Sequence, residues 1–343
     1  MEALSGNSSN ALRVVLASSA TIVAVAALTS AWRKKEVLQE KCQKTNGLLS
    51  VNYHFLRECN YGCKFCFHTD LRSEWVGLDK AREAIQKLHE AGTEKLNFSG
   101  GEPFLKAKDL GRMCQFAKKL GIKSVSIISN GSLITKEWID RWGEYVDIMG
   151  ISCDSFNDET NEQIGRYKRS SRGSFAHKDQ AIQVAKWCAT KGIMFKLNSV
   201  VNKWNCGEDM TEGLRTLQKI GMKRWKVFQV LPIEGENAGQ NKTDRDVTEL
   251  LISPEQYSAF LARHADFNPV YESNELMRNS YVILDEKCRF LNNQDGTKRP
   301  TMSILDVGVD AAFEEAGFEA ETFMERGGVY DWSRKSADIE DAA

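Results

Sequence analysis

The 343-residue chain has no excess of either charge: 46 basic and 47 acidic residues leave a formal net charge of −1. No global field recruits nucleic acid, so a nucleic-acid partner is not expected and any anion site must be a local cluster. Internal repeats and low-complexity tracts are missing, and with 42% hydrophobic residues the chain buries a real core in one large domain or two small ones. Nine cysteines, an odd number scattered along the chain, do not form the disulfide framework of a small secreted domain. A reducing compartment fits them better.

Charge is also missing from Val14 to Trp32, 19 residues followed at once by Arg33, Lys34 and Lys35. That length just crosses a bilayer, and the basic residues after it would hold the rest of the chain on the cytosolic side. A cleaved signal peptide, a mitochondrial presequence and a helix lying in the interface are the rival readings. The expectation is a membrane anchor at the endoplasmic reticulum, with the bulk of the chain on its cytosolic face.

From about residue 48 apolar strand-like runs alternate with helical-period segments. Strands are expected at 49–55, 95–100, 123–129, 145–152, 193–201 and 223–230, with helices such as 78–92, 108–121 and 178–192 between them. Six strands alternating with helices imply a parallel α/β sheet, either open and doubly wound or closed into a full or partial barrel. The polar run 234–249, "EGENAGQNKTDRDVTE", reads as a linker or mobile loop, and 254–343 as a helix-rich extension with one good strand at 280–285. The expected division is an anchor and spacer at 1–47, a barrel at 48–235, and an extension at 236–343 that closes the substrate site.

A second close pair of cysteines is absent too, and that makes "CNYGCKFC" informative. Structural zinc takes four ligands, usually from two paired knuckles, so Cys59, Cys63 and Cys66 fall one short unless His54 or His68 joins them. A four-iron cluster also normally takes four thiolates; three leave one iron open. The CxxxCxxC spacing, with Phe65 before its last cysteine, resembles the radical S-adenosylmethionine enzymes. The resemblance implies a [4Fe–4S] cluster on the three cysteines, S-adenosylmethionine chelated to the open iron, and release of a 5′-deoxyadenosyl radical. "NFSGGEP" follows at the end of the second strand, where that family carries a glycine-rich loop; Gly100, Gly101 and Glu102 are thereby assigned to the cofactor. Phe65, Ser155 and Arg166 are the further cofactor-site candidates, Ser155 also reading as a helix cap. The implied fold is a partial, six-unit β/α barrel, which the strand count matches.

Three strands place polar or cationic residues at i and i+2, positions that share one strand face: Lys95/Asn97, Lys196/Asn198 and Arg224/Lys226. Burying four cations in one lumen is costly without anions, so the site expects a multiply charged ligand such as a polyphosphate. "VNYHF", "EKLNFSGGEPFL", "SVSIISNGSLI", "RWKVFQ", "SYVILDE" and "RGGVY" extend the resemblance, over residues 48–332, to the viperin family of antiviral radical enzymes. Viperins convert CTP to 3′-deoxy-3′,4′-didehydro-CTP. On that resemblance the six lumen residues and Arg326 hold CTP, and Tyr281 delivers the closing hydrogen equivalent. An electron donor and cytosolic iron–sulfur assembly factors are the implied protein partners. Viperins recruit the latter through a C-terminal tryptophan, whereas this sequence reads "DIEDAA" there. The molybdenum-cofactor cyclase class, which acts on GTP, is a poorer match because it needs a second set of cysteines and only Cys288 lies beyond residue 206. A membrane-bound interaction protein with a vestigial cluster is the alternative from another class.

Overall fold

A computed structural model describes residues 48–70, 73–170, 177–328, 330 and 334. The expected anchor at 14–32 and the tail beyond 334 lie outside them. Among the described residues no helix is long and apolar enough to cross a membrane.

Strands β1 (Ser50–His54), β2 (Lys95–Ser99), β3 (Ser124–Ser129), β4 (Ile148–Ser152), β5 (Met194–Val201) and β6 (Met222–Gln229) pair in parallel in chain order. The crossovers carry α1 (Leu78–Glu90), α2 (Ala107–Leu120), α3 (Lys136–Trp142), α4 (Asp158–Ile164), α5 (His177–Thr190) and α6 (Thr211–Ile220). Period dictates each type. In α1, Ala81, Ala84, Ile85 and Leu88 recur at helical spacing and are buried, whereas β5 alternates strictly between buried and half-buried residues. Helix α2 stops at Gly121, whose φ of 105° is the left-handed cap that glycine adopts without cost. Leu96, Phe98, Leu197, Trp225 and Val227 point outward into the core shared with the helices. Their neighbours face the lumen.

The extension carries α7 (Pro254–Arg263), α8 (Asn274–Met277), α9 (Ile304–Val307), α10 (Val309–Glu314) and α11 (Ala320–Glu325). It also supplies four short strands where one was expected: β7 (Val270–Glu272), β8 (Val282–Leu284), β9 (Arg289–Asn292) and β10 (Arg299–Ser303). Strand β7 lies parallel on β6 and β8 parallel on β1; β9 and β10 continue antiparallel. The result is one ten-stranded sheet, from β10 at one edge to β7 at the other. It curls without closing, a partial barrel, and the expected boundary at 235/236 falls inside this single sheet. Phe323 of α11 packs on Leu49 and Ile148, plugging the end where the strands begin.

The run 234–249 is not a loose linker. Glu236, Asn237, Arg245 and Val247 are buried and tie it down: Asn237 donates to the Phe65 carbonyl at 2.7 Å, and its Oδ1 accepts the Ile233 N–H. The rest of the run is exposed or half-buried, and in sequence the few buried polar groups with partners look the same as the exposed ones.

Candidate active site

The cysteine loop leaves β1 at the other end of the barrel and opens into a lumen cavity of about 300 Å³ lined by Cys59, Cys63, Cys66 and Phe65. All three thiols are free, and burial raises those of Cys59 and Cys63 above the ordinary range, Cys63 to about 11. The loop is pinned from outside. Arg245 and Arg169 both donate to the Tyr61 carbonyl at 3.2 Å, and Lys298 Nζ reaches the Phe67 carbonyl at 2.8 Å, His68 Nδ1 at 2.9 Å and Glu236 Oε1 at 3.0 Å. Among the described residues no three His, Cys, Asp or Glu side chains stand close enough to hold a single metal ion. His54 and His68 therefore do not complete a zinc site. Three free thiols around a cavity fit a larger cluster, whose own body separates the sulfurs.

Gly100 and Gly101 lie on the cavity wall for a steric reason. A Cβ at Gly100 (φ 143°) would collide with the Leu56 carbonyl, and one at Gly101 with that of Glu58. The Gly101 and Glu102 amides donate to those same carbonyls at 2.7 and 2.8 Å, so they tie the glycine loop to the cysteine loop and are not free for a ligand. Glu102 is fully buried behind the cavity and accepts from Phe104 N, Ser129 Oγ and Asn130 N. It braces the loop. Gly101→Ala should therefore destabilise the protein by about 1–3 kcal/mol, as overpacking does, measured by denaturant unfolding; an unchanged midpoint would show that the two loops separate freely.

At the end of β4 the cavity is lined by Ser152, Asp154 and Arg166, and Ser155 is not among its lining residues. Ser155 is fully buried; its hydroxyl accepts the Asn157 N–H at 2.8 Å, and Asn157 in turn caps α4. The serine sets the turn, while Arg166, ion-paired with Asp154, stands 5.6 Å from the Phe65 ring. That pair is the charged feature at this strand end.

Deeper in the lumen, register aligns the expected cations. Lys196 is opposite Arg224 and Asn198 opposite Lys226, while Asn97 donates to Asn52 and accepts from Ser126 at 2.7 and 2.6 Å. Asn97, Lys196, Asn198, Lys226 and Tyr281 line the cavity. Lys95 and Arg224 sit below it around Tyr330: Lys95 Nζ meets the phenol oxygen at 3.0 Å, and the Arg224 guanidinium lies 4.0 Å from the ring centroid. Arg326 lies behind Tyr281, its guanidinium 3.7 Å from the ring centroid. Burial pulls Lys95 and Lys196 down to about 7 and also lowers Lys226. Sequence reasoning missed Glu272, the last residue of β7. It is fully buried, pairs with both Lys226 and Arg326, and accepts the Tyr281 hydroxyl hydrogen.

Both the sequence and the fold have relatives among known proteins. The family model described as the radical SAM superfamily matches residues 53–247. An S-adenosylmethionine-dependent nucleotide dehydratase RSAD2 of Oncorhynchus mykiss is 48% identical over 295 residues, covering 85% of this chain and 82% of the relative. An S-adenosylmethionine-dependent nucleotide dehydratase of Flammeovirga pacifica is 35% identical, covering 84% and 97%. Among solved structures, anSMEcpe with bound AdoMet superposes with a TM-score of 0.56 at 16% identity over 80% of this chain and 83% of that one. SuiB of Streptococcus suis gives 0.56 at 15% identity over 82% and 70%. At such identities the structural likeness speaks for the fold alone.

Proposed function

The chain belongs to the radical S-adenosylmethionine superfamily, as a member of its nucleotide dehydratases, and we propose that the nucleotide it dehydrates is CTP, giving 3′-deoxy-3′,4′-didehydro-CTP. Family membership makes a [4Fe–4S] cluster and S-adenosylmethionine its cofactors. When bound, these supply the 5′-deoxyadenosyl radical that takes the ribose 4′ hydrogen atom. Cys59, Cys63 and Cys66 hold the cluster, with the glycine loop, Phe65 and Arg166 around S-adenosylmethionine.

The observation that carries the reading is the lumen charge. Lys95, Lys196, Arg224, Lys226 and Arg326 converge on the inner end of the barrel, where Glu272 pairs with Lys226 and Arg326. A nucleoside triphosphate supplies the missing anion, with the ribose turned toward the cysteine loop and within reach of Asn97 and Asn198. Once the 4′ hydrogen has left, expelling the 3′ hydroxyl as water takes one proton and one electron from a one-electron donor. In this reading Tyr281, hydrogen-bonded by Lys226 at 2.9 Å, hands them on. The test is anaerobic reconstitution, then dithionite, S-adenosylmethionine and each nucleoside triphosphate in turn. CTP should yield a product lighter by one water; preferential dehydration of another nucleotide would overturn the proposal.

Two further outcomes follow from the same reading. Lys95 and Lys196 are charged below about pH 7 and neutral above it when the lumen is empty. A polyanion favours their charged forms, so CTP binding should take up protons and weaken as pH rises from 7 to 9. Calorimetry in buffers of different ionisation heat reads both, and pH-independent binding would contradict the buried-cation arrangement. The uncharged run 14–32 carries the proposal of membrane attachment: the full chain should sediment with membranes, and a chain starting at Arg33 should stay in the supernatant with undiminished turnover. Loss of turnover would place the segment in the fold.

A further inference from the structure

Glu272 stands opposite Phe228 in the parallel β6–β7 register, and α7 straps its strand in place. The Tyr257 hydroxyl donates to the Val227 carbonyl at 2.7 Å and accepts the Glu272 N–H at 3.2 Å. Four groups face the carboxylate or its immediate surroundings: Lys226 and Arg224 from β6, Arg326 from the turn after α11, and Tyr281 ahead of β8. One carboxyl oxygen serves Lys226 and Arg326; the other takes the phenol hydrogen. Both cations are themselves buried.

Consider the empty lumen without this carboxylate. Lys226 and Arg326, both buried, would lose the carboxylate that pairs with them. A buried lysine answers that situation by releasing its proton, whereas arginine cannot. Lys226 would go neutral first, and a neutral amine has no reason to hold its position beside Tyr281. A phosphate arriving later would have to bring the proton back.

We propose that Glu272 is a positioning residue of the phosphate subsite, a resident counterion that keeps Lys226 charged and aimed into the lumen until a phosphate group takes over the pairing. The assignment rests on reading the lumen as a triphosphate site but not on the identity of the base. It accounts for a charged residue that neither the cofactor nor the ribose chemistry employs, and for its contact with the two cations nearest Tyr281.

The test is binding of inorganic tripolyphosphate to the reconstituted holoenzyme, by anaerobic calorimetry at pH 6 and pH 8 in buffers of different ionisation heat. In Glu272→Gln the affinity should fall between those pH values by roughly tenfold more than in wild type, the consequence of about one unit of further pKa depression at Lys226. Proton uptake at pH 6 should rise by about 0.4 per ligand, since at pH 8 the lysine of the empty wild-type lumen is already mostly neutral, and Glu272→Asp should behave as wild type. The double variant Glu272→Gln/Lys226→Met removes both ends of the Lys226 pair and leaves Arg326 as the cation without its carboxylate there, as the single variant does. In it the added pH dependence should vanish. Wild-type pH dependence and proton uptake in Glu272→Gln would overturn the assignment, as would extra uptake that survives in the double variant. If wild type fails to bind tripolyphosphate, the counterion role and the triphosphate reading fall together. If a nucleotide other than CTP proves to be the substrate while the tripolyphosphate results hold, only the choice of CTP fails.

Discussion

Replacing any one of Cys59, Cys63 or Cys66 by Ala should abolish 5′-deoxyadenosine release, with activity below detection. Each thiol would supply one of three protein ligands on a loop of eight residues, and among the described residues no other cysteine lines the cavity to replace it. The loss should not come from unfolding. The loop is held by Arg245, Arg169, Asn237 and Lys298 through main-chain carbonyls at Tyr61, Phe65 and Phe67, and these bonds leave the sulfurs out. Circular dichroism and the thermal midpoint of the cluster-free variants should match those of cluster-free wild type, while iron content after reconstitution falls. A serine in place of Cys114 or Cys188, on the buried faces of helices α2 and α5, should leave both iron content and 5′-deoxyadenosine release intact. Full activity in any of the three alanine variants would remove the cluster from this loop.

The barrel strands were legible because each carries its own signal: apolar residues on one face, glycine caps after the helices, and polar pairs at i and i+2 on the other face. The cysteine and glycine motifs were legible for a related reason, since their chemistry depends on spacing along the chain. What stayed hidden depends on distant pairing. Glu272 ends a three-residue strand, "VYE", too short for alternation to speak, and its meaning comes from Lys226 and Arg326, 46 and 54 residues away. The cost of burying several cations did call for an anion; looking for it only in the ligand overlooked one in the chain itself. Ser155 is a different case: it is buried and does not line the cavity. Its neighbour Asp154 pairs with Arg166, and adjacent residues leaving a strand end point in different directions, so placement within one residue could not separate them. In the segment 234–249 the ties to the barrel were not legible, because composition cannot distinguish Asn237, bonded inside, from the exposed polar residues around it.

Lys226→Ala should lower the affinity for CTP by roughly a hundredfold, about 2–3 kcal/mol, the size of one charge-assisted hydrogen bond in a shielded site. The variant should still fold, because Glu272 keeps Arg326 and the Tyr281 hydroxyl as partners and no charge is left unmatched. The larger expected effect is on phosphate number. Lys95, Lys196, Arg224 and Lys226 come from three strands and surround an extended anion in place of gripping one phosphate. Wild type should therefore use CTP far better than CDP, and CMP or cytidine hardly at all, since each phosphate removed leaves more buried cations without a counter-charge. In Lys226→Ala the empty lumen has one cation fewer while Glu272 remains, so the retained carboxylate repels the phosphate chain and the gap between CTP and CDP should narrow. Turnover and binding of CTP, CDP, CMP and cytidine by both proteins measure this directly. CMP turned over as well as CTP by wild type would mean that the lumen cations do not read the phosphates. An unchanged CTP preference in Lys226→Ala would take Lys226 out of the phosphate subsite, leaving its pairing with Glu272 and its hydrogen bond to Tyr281 as its whole role.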